Sequence, residues 1–268
     1  MVELFEKDLM DDGRRSSKGN QLKWESGGIW YKADYIGYEG LAECVVSGLL
    51  KRSSLAENEY VTYEYENIKY KSTVFNGCKS YDFKNGWQVI TLERLFMNLF
   101  GKGLYAGIYS IADHTERVRF LVEQVENVTG IKGFGTYISK MFAIDAIFLN
   151  EDRHTHNISV LWDGAREYRL CPFYDHGGAL LSDTTLDYPL GCNVYDESEK
   201  VKAKTVCSSF EEQLDIAEKL YGSNISFSWN EKDVDEVLDG IRGYETAVKN
   251  RVKDLLLWQR RRYSYLFD

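Results

Sequence analysis

The sequence predicts an α+β fold of two lobes, in which a small strand-rich lobe precedes a larger helical lobe. Two observations predict it. Short runs of aromatic and β-branched residues dominate the first third, whereas from about residue 88 the apolar residues recur at helical spacing. A single hairpin then interrupts the helical part. We expect an N-terminal lobe of residues 1–83, a C-terminal lobe of residues 84–268 and a cleft between them.

The first third is expected to contain four strands and one helix. Two strands joined by the turn Ser26-Gly27-Gly28 have typical hairpin chemistry, and the helix follows them. Two further strand-like runs come next, and the second ends at Asn76-Gly77, a common turn sequence. In chain order, the predicted elements are Gln21–Glu25, Ile29–Tyr35, the helix Gly40–Lys51, Tyr60–Tyr65 and Ile68–Phe75.

The C-terminal part is expected to be helical around one hairpin. A first helix has its apolar face at Leu92, Leu95, Phe96 and Leu99. A second, from Gly135 to Asn150, is apolar nearly all round, which is typical of a helix buried inside a lobe, and Thr136 is its expected cap. The remaining predictions are a hairpin of Ile158–Trp162 with Glu167–Tyr174, and one long helix from Glu231 to Leu255 capped by Asn230.

Composition excludes several classes of protein. The formal charge of −9 argues against non-specific nucleic-acid binding, which needs many Lys and Arg side chains. We expect Arg260–Arg262 to be the solvated end of a helix. Five scattered cysteines without a CxxC pattern indicate neither a zinc framework nor a disulfide scaffold. The acidic start does not resemble a signal peptide, and no run approaches the ~18 apolar residues of a membrane span. We therefore expect a cytoplasmic protein.

A polar segment at the exit of the buried helix carries the predicted chemistry. Asp152 is followed five positions later by Asn157, and Asp175 comes at the end of the hairpin that follows. Phosphoryl transfer uses one carboxylate to position the attacking hydroxyl, and a second carboxylate with an amide oxygen to hold Mg²⁺. The hairpin would return the chain so that residues eighteen apart face one ion. The order of these elements predicts a kinase-like phosphotransferase.

Two histidines near Asp152 leave a metal site as an alternative. His154 and His156 form an H-x-H pattern that can bind zinc, but a third ligand at suitable spacing is missing unless His176 comes round. His154 also lies where a cation could steady the transferring phosphate. We prefer this second role.

The N-terminal lobe is expected to supply the nucleotide-binding groups. Lys32 lies within a predicted strand and could point toward the α- and β-phosphates, with an acid of the next helix to hold it. Glu43 is the preferred acid and Glu39 is the alternative. The polar loop from Ser16 to Asn20 has backbone N–H groups that could cover phosphate, although it has a single glycine, Gly19, and is neither a Walker loop nor a full GxGxxG.

These motifs resemble one known family. The patterns N-x-D-R-H-x-x-N and P-F-Y-D-x-G, with an S-x-x-G loop and a Y-K strand upstream, resemble those of HipA-like bacterial Ser/Thr kinases. The resemblance implies a protein-kinase-like fold that uses ATP and Mg²⁺, with the site residues that follow. They are Asp152 as catalytic base, Asn157 and Asp175 as metal ligands, Lys32 and the loop around Ser17 and Gly19 for phosphate, and backbone groups at Cys78, Lys79 and Ser80 for adenine.

The resemblance also has consequences for regulation and partners. It implies a protein substrate, a role as toxin in a toxin–antitoxin pair, and autophosphorylation at Ser16 or Ser17, where the added charge should expel the loop. Because only residues 1–15 precede the polar loop, we expect the N-terminal subdomain that is usual in full-length HipA-type toxins to be absent. This leaves open a stand-alone kinase or an antitoxin bound in another way. A small-molecule or lipid kinase and a non-catalytic pseudokinase are the alternative functions.

Overall fold

The computed structural model describes residues 1–10 and 21–268. The predicted phosphate-loop residues Ser16, Ser17 and Gly19 lie outside these ranges. The described residues form two compact units. The first consists of residues 1–83, 174–200 and 226–268, and the second of residues 84–173 and 201–225. The division into lobes at residue 83 stays a prediction.

The first unit is built on a five-stranded sheet. Its strands are β1 (Val2–Leu4), β2 (Lys23–Ser26), β3 (Ile29–Ala33), β4 (Glu64–Tyr70) and β5 (Thr73–Tyr81). Their order is β1-β4-β5-β3-β2, with β1 parallel to β4 and the other neighbours antiparallel. Trp24, Tyr31 and Ile68 are among the buried side chains of this sheet. Strand β3, which carries Lys32, therefore lies between two neighbours.

The predicted turn at Asn76-Gly77 is wrong. Both residues lie inside β5, and the chain reverses at Lys71, whose φ of 56° is in the left-handed region. A Cβ on Gly77 would collide with the carbonyl oxygen of Lys32 on β3. The glycine thus permits close strand pairing.

Three longer helices complete the first unit. They are α1 (Glu39–Leu50), α8 (Glu231–Gly240) and α9 (Thr246–Arg262), and a short helix, α6 (Val194–Ser198), packs on α9. Asn230 caps α8 by accepting from the N–H of Lys232, as predicted, and the three arginines end α9. The single long helix predicted here is wrong, because the chain leaves the helix at Ile241 and Gly243 has a φ of 85°. This break brings Tyr244 to Asp34.

The second unit holds its helices around a small sheet. Strands β6 (Gln88–Thr91), β7 (Ser159–Trp162) and β8 (Tyr168–Leu170) pair antiparallel in that order, and β7 with β8 is the predicted hairpin. The helices of this unit are α2 (Leu92–Phe100), α3 (Leu104–Tyr109), α4 (His114–Thr129), α5 (Phe134–Phe148) and α7 (Phe210–Tyr221).

Helix α5 is the buried helix predicted from the sequence. Nearly all its side chains are buried, including Phe142 and Phe148. It begins at Phe134 after Gly133, so the prediction of Thr136 as its cap is wrong. A glycine with positive φ turns the chain into the helix there. Within residues 1–10 and 21–268, none of the helices combines the length and the apolar character that a bilayer crossing requires.

Candidate functional site

The first unit joins three predicted site residues in one ion-pair cluster. The Lys32 Nζ lies 2.5 Å from Glu43 Oε1 and 2.6 Å from Asp175 Oδ1. Lys32 comes from β3, Glu43 from the second turn of α1, and Asp175 from the chain beyond the β7–β8 hairpin. Because these elements are distant in the sequence, the three charged side chains meet only in the folded chain.

Burial makes this cluster strongly coupled. The side chain of Lys32 is 13% exposed and that of Glu43 only 1%. Burial lowers the pKa of Lys32, but the carboxylates of Asp175 and Glu43 outweigh it and hold this pKa well above its ordinary value. Lys32 is therefore held in its charged form.

Backbone contacts fix the two acids of the cluster. The N–H of His176 donates to the second oxygen of Glu43 at 2.8 Å, so Glu43 ties Lys32 to the segment after Asp175. Asp175 has a φ of 61°, and its N–H donates to the hydroxyl of Tyr63 at 3.4 Å. A left-handed backbone is uncommon for residues other than glycine and recurs at functional sites.

Glu39 and Glu43 have different roles. Glu39 accepts hydrogen bonds from the N–H groups of Tyr35, Ile36 and Gly37, which lead into α1. It organises the loop before the helix, while Glu43 alone of these two acids contacts Lys32. The preferred pairing of Lys32 with Glu43 is the one found in the structure.

Asp34 anchors the start of α1, which carries Glu43. Its carboxylate accepts from the N–H of Gly40 at 2.6 Å and from the hydroxyl of Tyr244 at 2.8 Å. Burial raises the pKa of Asp34 to about 7, against the opposing effect of the Gly40 hydrogen bond. The sequence reasoning missed this residue, since its partner Tyr244 lies 210 positions away.

The second unit presents Asp152 and Asn157 on one loop. Helix α5 ends at Leu149, whose φ of 52° turns the chain out of the helix. The side-chain amide of Asn157 donates to the backbone oxygen of Asp152 at 2.8 Å and to its carboxylate at 3.0 Å. The five-residue spacing therefore places the amide and the carboxylate side by side.

A buried ion pair supports this loop. Arg153 Nε lies 3.2 Å from the carboxylate of Asp145, and both side chains are almost completely buried. Asn150 also donates to Asp145, and the Arg153 guanidinium donates to the carbonyl of Asn157. Burial raises the pKa of Asp145 to about 6, with Arg153 opposing the rise. The sequence pattern did not single out Asp145, because it is one acid in an otherwise apolar helix.

The two histidines of the loop differ in environment. His154 Nε2 lies 3.5 Å from Asp152 Oδ1, which places a basic ring beside the predicted base. His156 is exposed and meets the edge of the His154 ring. In the part of the chain that the structure describes, one group of three side chains could share a metal ion. It consists of His114, Cys207 and Glu212, and includes neither histidine of the H-x-H pattern nor His176.

The predicted adenine-binding segment lies in a strand. Cys78 and Lys79 pair with neighbours on both sides of β5, whereas the register pairs Ser80 only with β3, through Trp30. Ser80 is thus where β5 extends beyond β4. Adenine binding by these residues stays a prediction.

Comparisons with known proteins place the fold. No protein-family model matches the sequence, and no curated protein matches it. The crystal structure of a Helicobacter pylori proinflammatory kinase, CtkA, is similar with a TM-score of 0.63 and 13% identity. The match covers 97% of this chain and 95% of that one. The chain has the fold of a solved kinase, which confirms the predicted α+β, protein-kinase-like fold class.

A second solved structure matches more weakly. It is a Shewanella oneidensis MR-1 toxin–antitoxin complex of HipA, HipB and operator DNA, with a TM-score of 0.49 and 10% identity. The match covers 97% of this chain but only 63% of that one, so this chain spans less than two thirds of its length.

Proposed function

We propose that this chain is an ATP- and Mg²⁺-dependent phosphotransferase, specifically a HipA-like Ser/Thr protein kinase. The observation that carries the proposal is the contact of Lys32 with both Glu43 and Asp175 in a chain with a kinase fold. A buried lysine held by an acid of the following helix is what an ATP-dependent kinase uses to bind the α- and β-phosphates.

The two residues proposed as metal ligands have donor atoms of the kind that Mg²⁺ prefers. Asp175 would supply a carboxylate and Asn157 an amide oxygen, and both are hard oxygen ligands. Bound Mg²⁺ would neutralise charge on the phosphates of the nucleotide. Lys32 contacts Asp175 directly, so Asp175 as a metal ligand would share its negative charge between the lysine and the ion.

Asp152 would act as the catalytic base. Its carboxylate is partly exposed and is oriented by the amide of Asn157. In this role it accepts a hydrogen bond from the acceptor hydroxyl and takes its proton as the new O–P bond forms. His154, beside Asp152, would place positive charge near the transferring phosphate when protonated.

Further parts of the proposal rest on the family resemblance alone. They are autophosphorylation at Ser16 or Ser17, phosphate contacts from Ser17 and Gly19, a role as toxin, and an antitoxin partner. The cytoplasmic location also stays a prediction.

Radiolabelled ATP with Mg²⁺ tests the proposed activity. The wild-type chain should label itself or a protein acceptor, and Asp152→Asn should lower the rate by about a hundredfold or more. Asp215→Asn, a change at an exposed acid of the same unit, should leave the rate unchanged. Equal labelling by the Asp152 variant would refute the assigned base. ATP consumption with small molecules but no labelled protein would indicate a small-molecule or lipid kinase, and no binding of ATP–Mg²⁺ a pseudokinase.

A further inference from the structure

The second unit contains a cavity next to the proposed catalytic base. Its volume is about 540 Å³, within the range of ligand pockets. Two basic side chains, Arg117 and Lys204, line it together with His114, His154 and His156, three of the four histidines of the chain. Among the residues that the structure describes, none that lines the cavity is acidic, although the chain has a formal charge of −9. The lining is thus unlike the average surface.

His154 connects this cavity to Asp152. One ring nitrogen, Nε2, lies 3.5 Å from the Asp152 carboxylate. The other, Nδ1, is buried and has no hydrogen-bond partner among the residues that the structure describes. Because His154 lines the cavity and also lies beside Asp152, a ligand in the cavity would lie close to the proposed base.

The nearby carboxylates do not form close ion pairs with every basic side chain of the cavity. Glu212 binds His114 Nδ1 at 2.6 Å, and Glu151 lies 3.9 Å from Lys204 Nζ, too far for a hydrogen bond. The side chain of Lys204 is 43% exposed and keeps donors for a ligand. Arg117 donates only to main-chain carbonyls and lies over the Tyr109 ring at 4.7 Å, so its charge has no acidic partner within the described ranges.

An aromatic wall completes the cavity. Tyr105 and Tyr109 stack with ring centroids 4.4 Å apart, and Tyr105 is 43% exposed. Such a wall suits the aliphatic stem of a side chain whose charged end meets the basic groups. The combination matches an acidic side chain better than a free inorganic anion.

We propose that this cavity binds an acidic side chain of the phosphate acceptor, which would be a Ser or Thr flanked by Glu or Asp. The proposal rests on the proposed kinase function for its role in catalysis. As a binding site for acidic peptide segments it can be tested without ATP. Charge at the edge of a site selects partners by attraction and repulsion, and the effect weakens with salt.

Fluorescence anisotropy tests the binding site directly. Three labelled peptides share one Ser in a common frame and carry Glu, Gln or Lys at the flanking positions. The wild-type chain should bind the Glu peptide about tenfold more tightly than the Gln peptide, and added salt should reduce the difference. Lys204→Glu should remove this preference. Lys202→Glu, a change of equal charge at an exposed lysine outside the cavity lining, should alter affinity less than about twofold.

Several outcomes would overturn the inference. Equal binding of the Glu and Gln peptides would do so, as would equal effects of the two lysine variants. A third such outcome is complete displacement of the bound peptide by inorganic phosphate added at a concentration equal to the peptide's Kd. Phosphorylation rates on the same peptides separate this inference from the proposed function. Labelling without charge preference would refute the inference alone. Preferential binding of the Glu peptide, with no phosphoryl transfer to the peptides, to the chain itself or to a protein acceptor, would refute the kinase and leave the acidic-peptide site standing.

Discussion

The Lys32 cluster of the first unit and the Asp152 loop of the second are stabilised in different ways. The cluster joins residues 32, 43 and 175 through short ion pairs, so it depends on three separately placed elements. The loop is organised mainly by hydrogen bonds among residues 145–157, to which Glu93 and Thr205 add contacts with Thr155 and Arg153. Damage to one element should therefore disperse the cluster, whereas the loop should fail when its local support is removed.

Each region also depends on a buried acid that touches no ligand in the proposed mechanism. Asp145 supports the loop and has a cation, Arg153, as partner. Asp34 supports the helix of Glu43, and its donors within residues 1–10 and 21–268 are neutral, the N–H of Gly40 and the hydroxyl of Tyr244. A charged partner and a neutral one should respond differently to substitution and to pH, which makes the comparison testable.

The largest effect is expected at Asp145. Asp145→Asn would leave the buried Arg153 without its counter-charge, and breaking a buried pair costs about 3–5 kcal/mol of unfolding free energy. Urea denaturation followed by fluorescence measures the loss. Asp215→Asn should be nearly neutral as an exposed control. The double variant Asp145→Leu/Arg153→Met should recover much of the stability, because it removes both charges. If the double variant is no more stable than Asp145→Asn, the unpaired charge is not the cause.

The second effect separates the two acids of α1. Glu43→Gln should lower ATP-dependent phosphoryl transfer by about a hundredfold, because a displaced Lys32 would no longer meet the phosphates correctly. Glu39→Gln should cost about 1–2 kcal/mol of stability through weakened backbone contacts, with a much smaller effect on the rate per folded molecule. Activity normalised to folded protein distinguishes them. An equal loss of rate in both variants would mean that the helix position, and not the Glu43 carboxylate, matters.

The same contrast explains how much the sequence could predict. The spacing of Asp152 and Asn157 was readable because their contact is local, and the buried helix before them has a clear apolar pattern. Lys32 and Glu43 were found because strand and helix are adjacent in the chain. The contacts of Asp34 with Tyr244, and the helix break that permits them, were not readable. They depend on packing across 210 positions, which no local pattern reports. Asp145 was missed because one acid hardly changes an apolar helix.

The smallest effect is a pH dependence that originates at Asp34. Its pKa is about 7 in the folded chain against an ordinary value of 3.8, so between these pH values the folded state holds a proton that the unfolded state has lost. The free energy of unfolding should therefore fall as the pH rises from about 4 to 7. Above pH 7 Asp34 is ionised in both states, so the loss of stability stays at its full value. Asp34→Asn keeps an oxygen for the Gly40 N–H and cannot ionise, and its amide can donate to the Tyr244 oxygen. As the pH rises from 4.5 to 8, the free energy of unfolding of this variant relative to that of wild type should therefore increase by roughly 1–3 kcal/mol. As a control, Asp254→Asn, at an exposed position of α9, should show the same dependence of unfolding free energy on pH as wild type. If the curves of Asp34→Asn and wild type are parallel, Asp34 stays ionised throughout, and the prediction is wrong.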